Sequence, residues 1–333
     1  MSTQVLSGNH VLVTGAGGFI GSHLTERLVE LGAQVRAFVR YNSRNNRGLL
    51  ELVSQKRLKA IEIVFGDLRD PYAVWEACRG VNIVFHLGAL IAIPYSYLHP
   101  REVVETNMLG TLNVLMSARE LGVERVVHTS TSEVYGTAQY VPIDEKHPLQ
   151  GQSPYSASKI GADKMAESFY RSFGLPVCTM RPFNTYGPRQ SARAVIPTIV
   201  TQALTQDEVR LGDLTPRRDL TYVADTVEGF VKMAQAEDEV LGQEVNLGAN
   251  ADISIEELTQ KIFELLGRPL RIVTDPQRMR PEKSEVYRLW ADNRKAKALI
   301  GWSPQVSLEE GLRRTIAWIR DHLDFYRPEE YQI

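Results

Sequence analysis

Short apolar runs alternate along the N-terminal half with longer stretches in which apolar residues recur every three or four positions. HVLVTG precedes GSHLTERLVELG, and QVRAFVR follows. IEIVFGD precedes PYAVWEACRG, VNIVFHLGA comes next, then REVVETNMLGTLNVLMSARELG and RVVHTST. The short runs are rich in Val and Ile and are not broken by polar residues at every second position. That is the pattern of strands covered on both faces, and the stretches between them have the period of helices. The order predicts a doubly wound parallel α/β sheet. LPVCTMRPF adds a further strand after a helix that begins near SPYSASK.

From about Tyr186 the pattern changes: Pro and Gly become frequent, strand signals weaken and helices dominate. The expected organisation is a Rossmann-type domain over residues 1–185 and a smaller, mostly helical C-terminal lobe over 186–219 and 250–333. YVADTVEGFVKMAQA and QEVNLG read as a helix and a strand, so 220–249 is expected to return to the first domain. A chain of 333 residues is long enough for both.

Charge and cysteine content narrow the setting. A net charge of -2 gives no general reason to expect nucleic acid or an anionic membrane as partner. The two cysteines, Cys78 and Cys178, imply no disulfide framework. The stretch VNIVFHLGALIAIPY is too short and too polar to span a bilayer, and MSTQVLSGNHVLVTG lacks the order of a signal peptide. A cytoplasmic protein with no membrane association and no resident metal is expected.

VLVTGAGGFIGSHL lies where the first strand turns into the first helix, with Gly15, Gly18 and Gly21 spaced three apart. Glycines there permit a tight turn and let backbone N–H groups approach a pyrophosphate at a helix N-terminus, so a dinucleotide site is expected. An NAD site usually carries an acid at the end of the second strand, for the ribose hydroxyls. Here that strand ends FVRYNSRNNR, without an acid. Arg40, Ser43 and Arg44 supply donors suited to a 2′-phosphate, which favours NADP, with NAD as the alternative. An ordinary solvated basic loop would look the same.

HTSTSEVYG raises a different question, because Glu133 follows an apolar strand closely. A carboxylate there is costly to bury without a partner. Twenty residues after Glu133, SPYSASK offers Ser153 as a helix cap and Pro154 as the first helical residue, which sets Tyr155 and Lys159 one turn apart on one face.

Together these motifs resemble the extended short-chain dehydrogenase/reductase family, whose members modify nucleotide sugars. The resemblance covers nearly the whole chain: the glycine loop, GDL at 66–68, HLGA at 86–89, Asn107, the Thr131, Tyr155 and Lys159 set, RPFNTYGPR, RRDLTYVAD, NLG and GWSP. It implies that Asp67 contacts the adenine and that Lys159 holds the nicotinamide ribose. It also places Phe19, Ile20, Leu68, Leu87 and Ala89 among the cofactor contacts. Tyr155 would be the acid/base at the sugar C4 hydroxyl, with Thr131 bonded to the same oxygen. A neighbouring ammonium and an oxidised nicotinamide would lower its pKa.

The order Thr-Ser-Glu-x-Tyr-Gly is similar to that of GDP-mannose 4,6-dehydratases and their relatives. Glucose-type dehydratases carry Thr-Asp-Glu, so the proton donation made by that Asp cannot be given to Ser132, which is counted among the substrate contacts. By this resemblance Glu133 is the base that removes the C5 proton once C4 is a ketone, with delivery of that proton to the leaving hydroxide as a further role. The competing reading of Glu133 is a paired structural carboxylate. Asn184, Arg218 and Arg280 match diphosphate-contact positions of the family; arginine suits the role because its planar fork binds phosphate oxygens in pairs. Asp219 either orients Arg218 or caps the following turn. The longer stretches are most similar to dehydratases of legionaminic-acid-type pathways, which implies GDP- or UDP-N-acetylglucosamine as substrate. Helices 101–120 and 155–173 form a dimer interface in the family, so a homodimer is expected. The alternatives are a 4-epimerase or 4-ketoreductase on the same scaffold, and a non-catalytic NAD(P)-binding protein.

Overall fold

The computed structural model describes residues 6–326. Seven strands form one parallel sheet: β1 (His10–Thr14), β2 (Gln34–Arg40), β3 (Ile61–Gly66), β4 (Ile83–His86), β5 (Arg125–Thr129), β6 (Val177–Pro182) and β7 (Glu244–Leu247). Their spatial order is β3-β2-β1-β4-β5-β6-β7. Val11 of β1 stands between Val35 and Ile83, so the chain reverses its direction of travel across the sheet between β1 and β4. In such sheets a crevice opens at the carboxyl ends of the strands at this switch point.

The unbroken apolar runs are explained by cover on both faces. Val11, Val13, Val35, Ala37, Ile83 and Phe85 point to one side and pack with Leu24 and Leu28 of α1 (Phe19–Glu30). Leu12, Phe38, Val84, Val126 and Val177 point to the other. There they meet α2 (Pro71–Cys78), α3 (Gly110–Glu120) and α4 (Pro154–Phe173) through Val74, Val114, Leu115, Ala166 and Phe169. Truncating a side chain such as Phe85 would open a cavity costing about 3–5 kcal/mol.

α4 starts as its sequence predicts. Ser153 caps it by accepting from Ser156 N at 3.1 Å, and Pro154 occupies the first turn. The stretch 101–120 departs from a plain helix. Pro100–Val104 passes into a wider π-turn over Glu105–Leu109 before α3 begins. Asn107 is buried in that turn, where its side chain accepts from Leu90 N at 2.7 Å and donates to Leu90 O at 2.9 Å and Ser158 Oγ at 3.0 Å.

The remaining chain carries α5 (Val195–Thr205), α6 (Val223–Gln235), α7 (Ile255–Leu266) and α8 (Leu308–Asp321). α6 joins α1 on the first face of the sheet through Val227, Phe230 and Val231. Between the helices lie short strand pairs, such as Glu208–Leu211 with Arg271–Thr274, and Arg217–Arg218 between Ile253–Ser254 and Arg288–Leu289. Strands of two to four residues are too brief to leave a hydrophobic period in a sequence. Asp219 is fully buried and accepts from the backbone N–H groups of Ala249, Asn250 and Ala291 at 2.6, 3.0 and 3.1 Å. It ties the loop after β7 to residue 291 rather than bonding Arg218. No helix among the described residues is long and apolar enough to cross a membrane.

Candidate active site

One continuous cleft of about 1060 Å³ runs along the carboxyl ends of the strands, from the loop after β1 to Arg280. That volume lies at the upper end of the roughly 300–1,000 Å³ typical of a small-molecule site, and its lining runs from the glycine turn to Arg280.

At one end the cleft meets the N-terminus of α1. No side chain caps that helix and its first turn carries no acid, so its backbone N–H groups are left for an anion. Gly15 has φ +70°, and a Cβ there would come within 2.8 Å of the Gly88 backbone. A Cβ on Gly21 would overlap the Gly15 carbonyl. Gly15, Gly18 and Gly21 line the cleft together with Phe19, Ile20, Leu68, Leu87 and Ala89. A cradle of bare backbone against an uncapped helix end fits the pyrophosphate of a dinucleotide. Asp67 also lines the cleft. Arg69 grips both its oxygens at 2.7 and 3.0 Å and holds its carboxyl below the usual range. At the end of β2, Arg40 lines the cleft and stands 3.4 Å from Glu102. Ser43 and Arg44 are exposed and do not line it; Asn42 and Asn46 do. The loop turns on the Asn42 side chain, which accepts from the N–H groups of Arg44 and Asn46 at 3.2 and 3.0 Å.

Midway along the cleft, Thr131, Ser132, Glu133 and Tyr155 meet on its wall. Thr131 caps the single helical turn Ser132–Tyr135 by accepting from Glu133 N at 3.2 Å. The same side chain is hydrogen-bonded to the Tyr155 hydroxyl. Burial, with the carboxylates of Glu133 and Asp163, pushes the Tyr155 phenol above its ordinary value, and only the Thr131 bond opposes them. Lys159 is not among the groups that lower the phenol here, and the other half of the expected lowering belongs to the state with an oxidised nicotinamide bound. The Lys159 ammonium is buried below the cleft wall and donates to Thr129 O at 2.6 Å. It does not line the cleft, and burial lowers it to about 8 against the pull of Asp163.

Glu133 is half-buried and, among the described residues, its carboxylate makes no hydrogen bond or ion pair. Its charge is felt by Tyr155 and by Arg218. The paired structural carboxylate is therefore not what the structure contains.

At the far end Asn184, Arg218 and Arg280 line the cleft. Arg218 and Arg280 both donate to one oxygen of Glu285, at 3.1 and 3.4 Å. Glu285 was not legible as a site residue, because RPEKSEV offers Glu282 equally and only the fold turns one of them to the arginines. Three buried acceptors on the cleft wall have no partner among the described residues: Thr129 Oγ1, Asn184 Oδ1 and Gln190 Oε1. Orphaned acceptors are rare in a packed interior, and all three belong to residues that line the cleft.

Comparison with known proteins agrees with this geometry. The family model described as GDP-mannose 4,6 dehydratase matches residues 12–315. A putative UDP-glucose 4-epimerase of Methanocaldococcus jannaschii is 30% identical over 318 residues, covering 94% of this chain and 99% of that protein. The UDP-N-acetyl-alpha-D-glucosaminuronate decarboxylase of Bacillus cytotoxicus is 32% identical over 320 residues, covering 93% and 97%. Among solved structures, DesIV, a dTDP-glucose 4,6-dehydratase from Streptomyces venezuelae with NAD bound, is 32% identical with a TM-score of 0.86, covering 96% of this chain and all of that one.

Proposed function

The chain belongs to the family of NAD-dependent nucleotide-sugar epimerases, dehydratases and decarboxylases, and from that premise we propose that it is a nucleotide-sugar 4,6-dehydratase. The observation that carries this reading is the unpaired Glu133 carboxylate on the cleft wall beside Tyr155. A 4-epimerase or 4-ketoreductase needs an acid/base at O4 alone, which Tyr155 and Thr131 already provide. A dehydratase also needs a base at C5, and Glu133 is a carboxylate held in the cleft by no other task.

In the proposed reaction Tyr155, which the positive charge of an oxidised nicotinamide would bring to its phenolate form, takes the O4 proton as C4 becomes a ketone, and Thr131 orients the shared oxygen. The ketone acidifies the C5 hydrogen; Glu133 removes it as a proton and passes that proton to the departing C6 hydroxyl, which leaves as water, and C5 takes a proton from solvent when hydride reaches C6. The nicotinamide, when bound, supplies the hydride acceptor at C4 and the hydride returned to C6. Net, one water is lost. Lys159 acts from below the wall as a fixed positive charge. Arg218, Arg280 and Asn184 are the proposed diphosphate contacts, with Ser132 at the sugar. The proposed substrate is GDP- or UDP-N-acetylglucosamine, a reading supported by the N-acetylated sugar named for the Bacillus relative.

NADP is the proposed cofactor on the strength of Arg40 and the absence of an acid at the end of β2; NAD, as in DesIV, is the alternative. A homodimer is proposed through the face of 100–120 and α4, where Val104, Leu109, Met116, Tyr170 and Phe173 are exposed.

The test is a panel of nucleotide sugars, including GDP- and UDP-N-acetylglucosamine and GDP-mannose, followed by mass spectrometry. Loss of water from one of them is the expected result. Loss of carbon dioxide from a uronic acid, or an unchanged mass with an inverted C4, would overturn the proposal in favour of a decarboxylase or an epimerase.

A further inference from the structure

Beneath the Tyr155 and Lys159 pair lies a layer of ionisable groups that do not line the cleft. Asp163 stands one helical turn beyond Lys159 on α4 and is almost fully buried. Its Oδ2 accepts from Ser130 Oγ at 2.7 Å and from Arg181 Nε and Nη2 at 3.2 and 3.1 Å. Its Oδ1 lies 3.2 Å from His128 Nε2. Asp163 thus joins α4 to β6 through Arg181, and to β5 and the residue after it through His128 and Ser130.

The hydrogen bonds account for the fold at this point, but the charge has a further consequence. The layer holds two buried cations, Lys159 and Arg181, each 3% exposed or less. Asp163 is their common buried anion; Glu244 reaches Arg181 only at 3.8 Å and is partly exposed. The other groups facing Lys159 bring no compensating charge. His128 on β5 and His86 on β4 are kept neutral by burial. The turn Glu105–Leu109, packed on the other side of α4, presents Asn107 and Met108. Tyr155 is a neutral phenol, and Glu133 sits on the cleft side of it.

If the anion were removed, the remaining cations could be relieved in one way. An arginine does not give up its proton in a protein, and the histidines have none to give. Lys159 would lose its own.

We propose that Asp163 is a positioning residue of the catalytic pair, the fixed counter-charge that keeps Lys159 an ammonium beneath the cleft wall. The inference rests on the Tyr155 and Lys159 reading given above. Two directions agree with it. Asp163 is held at about 2, where burial is outweighed by the His128 bond and the neighbouring cations, so it is charged throughout the neutral range. Lys159 titrates near 8, within reach of one lost neighbour.

The experiment follows the ¹⁵N resonance of Lys159 Nζ against pH in the full-length protein, assigned by its loss in Lys159→Met. It reports the charge whatever reaction the enzyme performs, so its failure is separate from that of the dehydratase reading. In Asp163→Asn the midpoint is expected to fall from about 8 by roughly one pH unit or more. Turnover at pH 8 relative to pH 6 should then drop about fivefold, because the ammonium fraction at pH 8 falls from a half to about a tenth. Asp163→Asn with Arg181→Met restores the charge balance and should return the midpoint. Arg181→Met alone leaves the carboxylate to Lys159 and should raise it, which serves if Asp163→Asn does not fold. A midpoint unmoved in the folded variants, with activity reduced equally at all pH values, would mean that Asp163 only braces the strands and would overturn the proposal.

Discussion

Replacing Glu133 by Gln separates the two halves of the proposed reaction. The side chain has no hydrogen bond or ion pair among the described residues, and Gln keeps its shape, so stability should change by less than about 0.5 kcal/mol. Loss of a general base costs roughly 10²- to 10⁴-fold in rate, or about 3–5 kcal/mol of barrier. The C4 step should behave differently. Glu133 raises the Tyr155 phenol, so its removal lowers that pKa and moves the acid limb of C4 oxidation to lower pH. The assay has three parts: product water loss by mass spectrometry, solvent deuterium entering C5, and reduced nicotinamide by its absorbance under single turnover. Water loss and C5 exchange should fall by at least about a hundredfold while nicotinamide reduction persists. Dehydration within about tenfold of wild type would refute the assignment of Glu133 as the C5 base. Loss of both steps together, with a lowered melting temperature, would refute the claim that its carboxylate is structurally idle.

Four further results are expected. Gly21→Ala sets a Cβ against the Gly15 carbonyl, which cannot move aside, so it should destabilise by about 1–3 kcal/mol and weaken dinucleotide binding, as read by melting with and without cofactor. Arg40→Ala should weaken NADP roughly 10- to 100-fold, about 1.5–3 kcal/mol for a charge-assisted contact, and leave NAD unchanged in a fluorescence titration; equal effects on both would point to NAD. Leu109→Asp, on a face exposed in the single chain, should turn a dimer into a folded monomer by sedimentation. The Asp163 carboxyl is lowered from 3.8 to about 2, so it contributes about 2 kcal/mol that is complete above pH 4 and lost as the pH falls towards 2. Urea unfolding between those limits should show less acid sensitivity in Asp163→Asn.

Much of this protein is written locally in its chain. The parallel sheet was legible because its central strand β1 is covered on both faces, so that Val11, Leu12 and Val13 are apolar in succession. The glycine turn and the Ser153–Pro154 helix start were legible because each depends on backbone geometry within a few residues. Tyr155 and Lys159 share a face for the same reason. What the chain order could not express is which distant groups finally meet. Whether Glu133 is paired depended on residues far along the chain, and the fold leaves its carboxylate to the cleft. Glu285 rather than Glu282 meets Arg218 because a short strand, Arg288–Leu289, pairs with Arg217–Arg218 and brings its preceding turn over the cleft. That burial and two carboxylates outweigh Lys159 at the Tyr155 phenol was not legible, because desolvation and the sum of several charges are properties of packing, not of spacing. Local periodicity and turn chemistry select the architecture, whereas the electrostatics of a site are a sum over everything the fold has gathered around it.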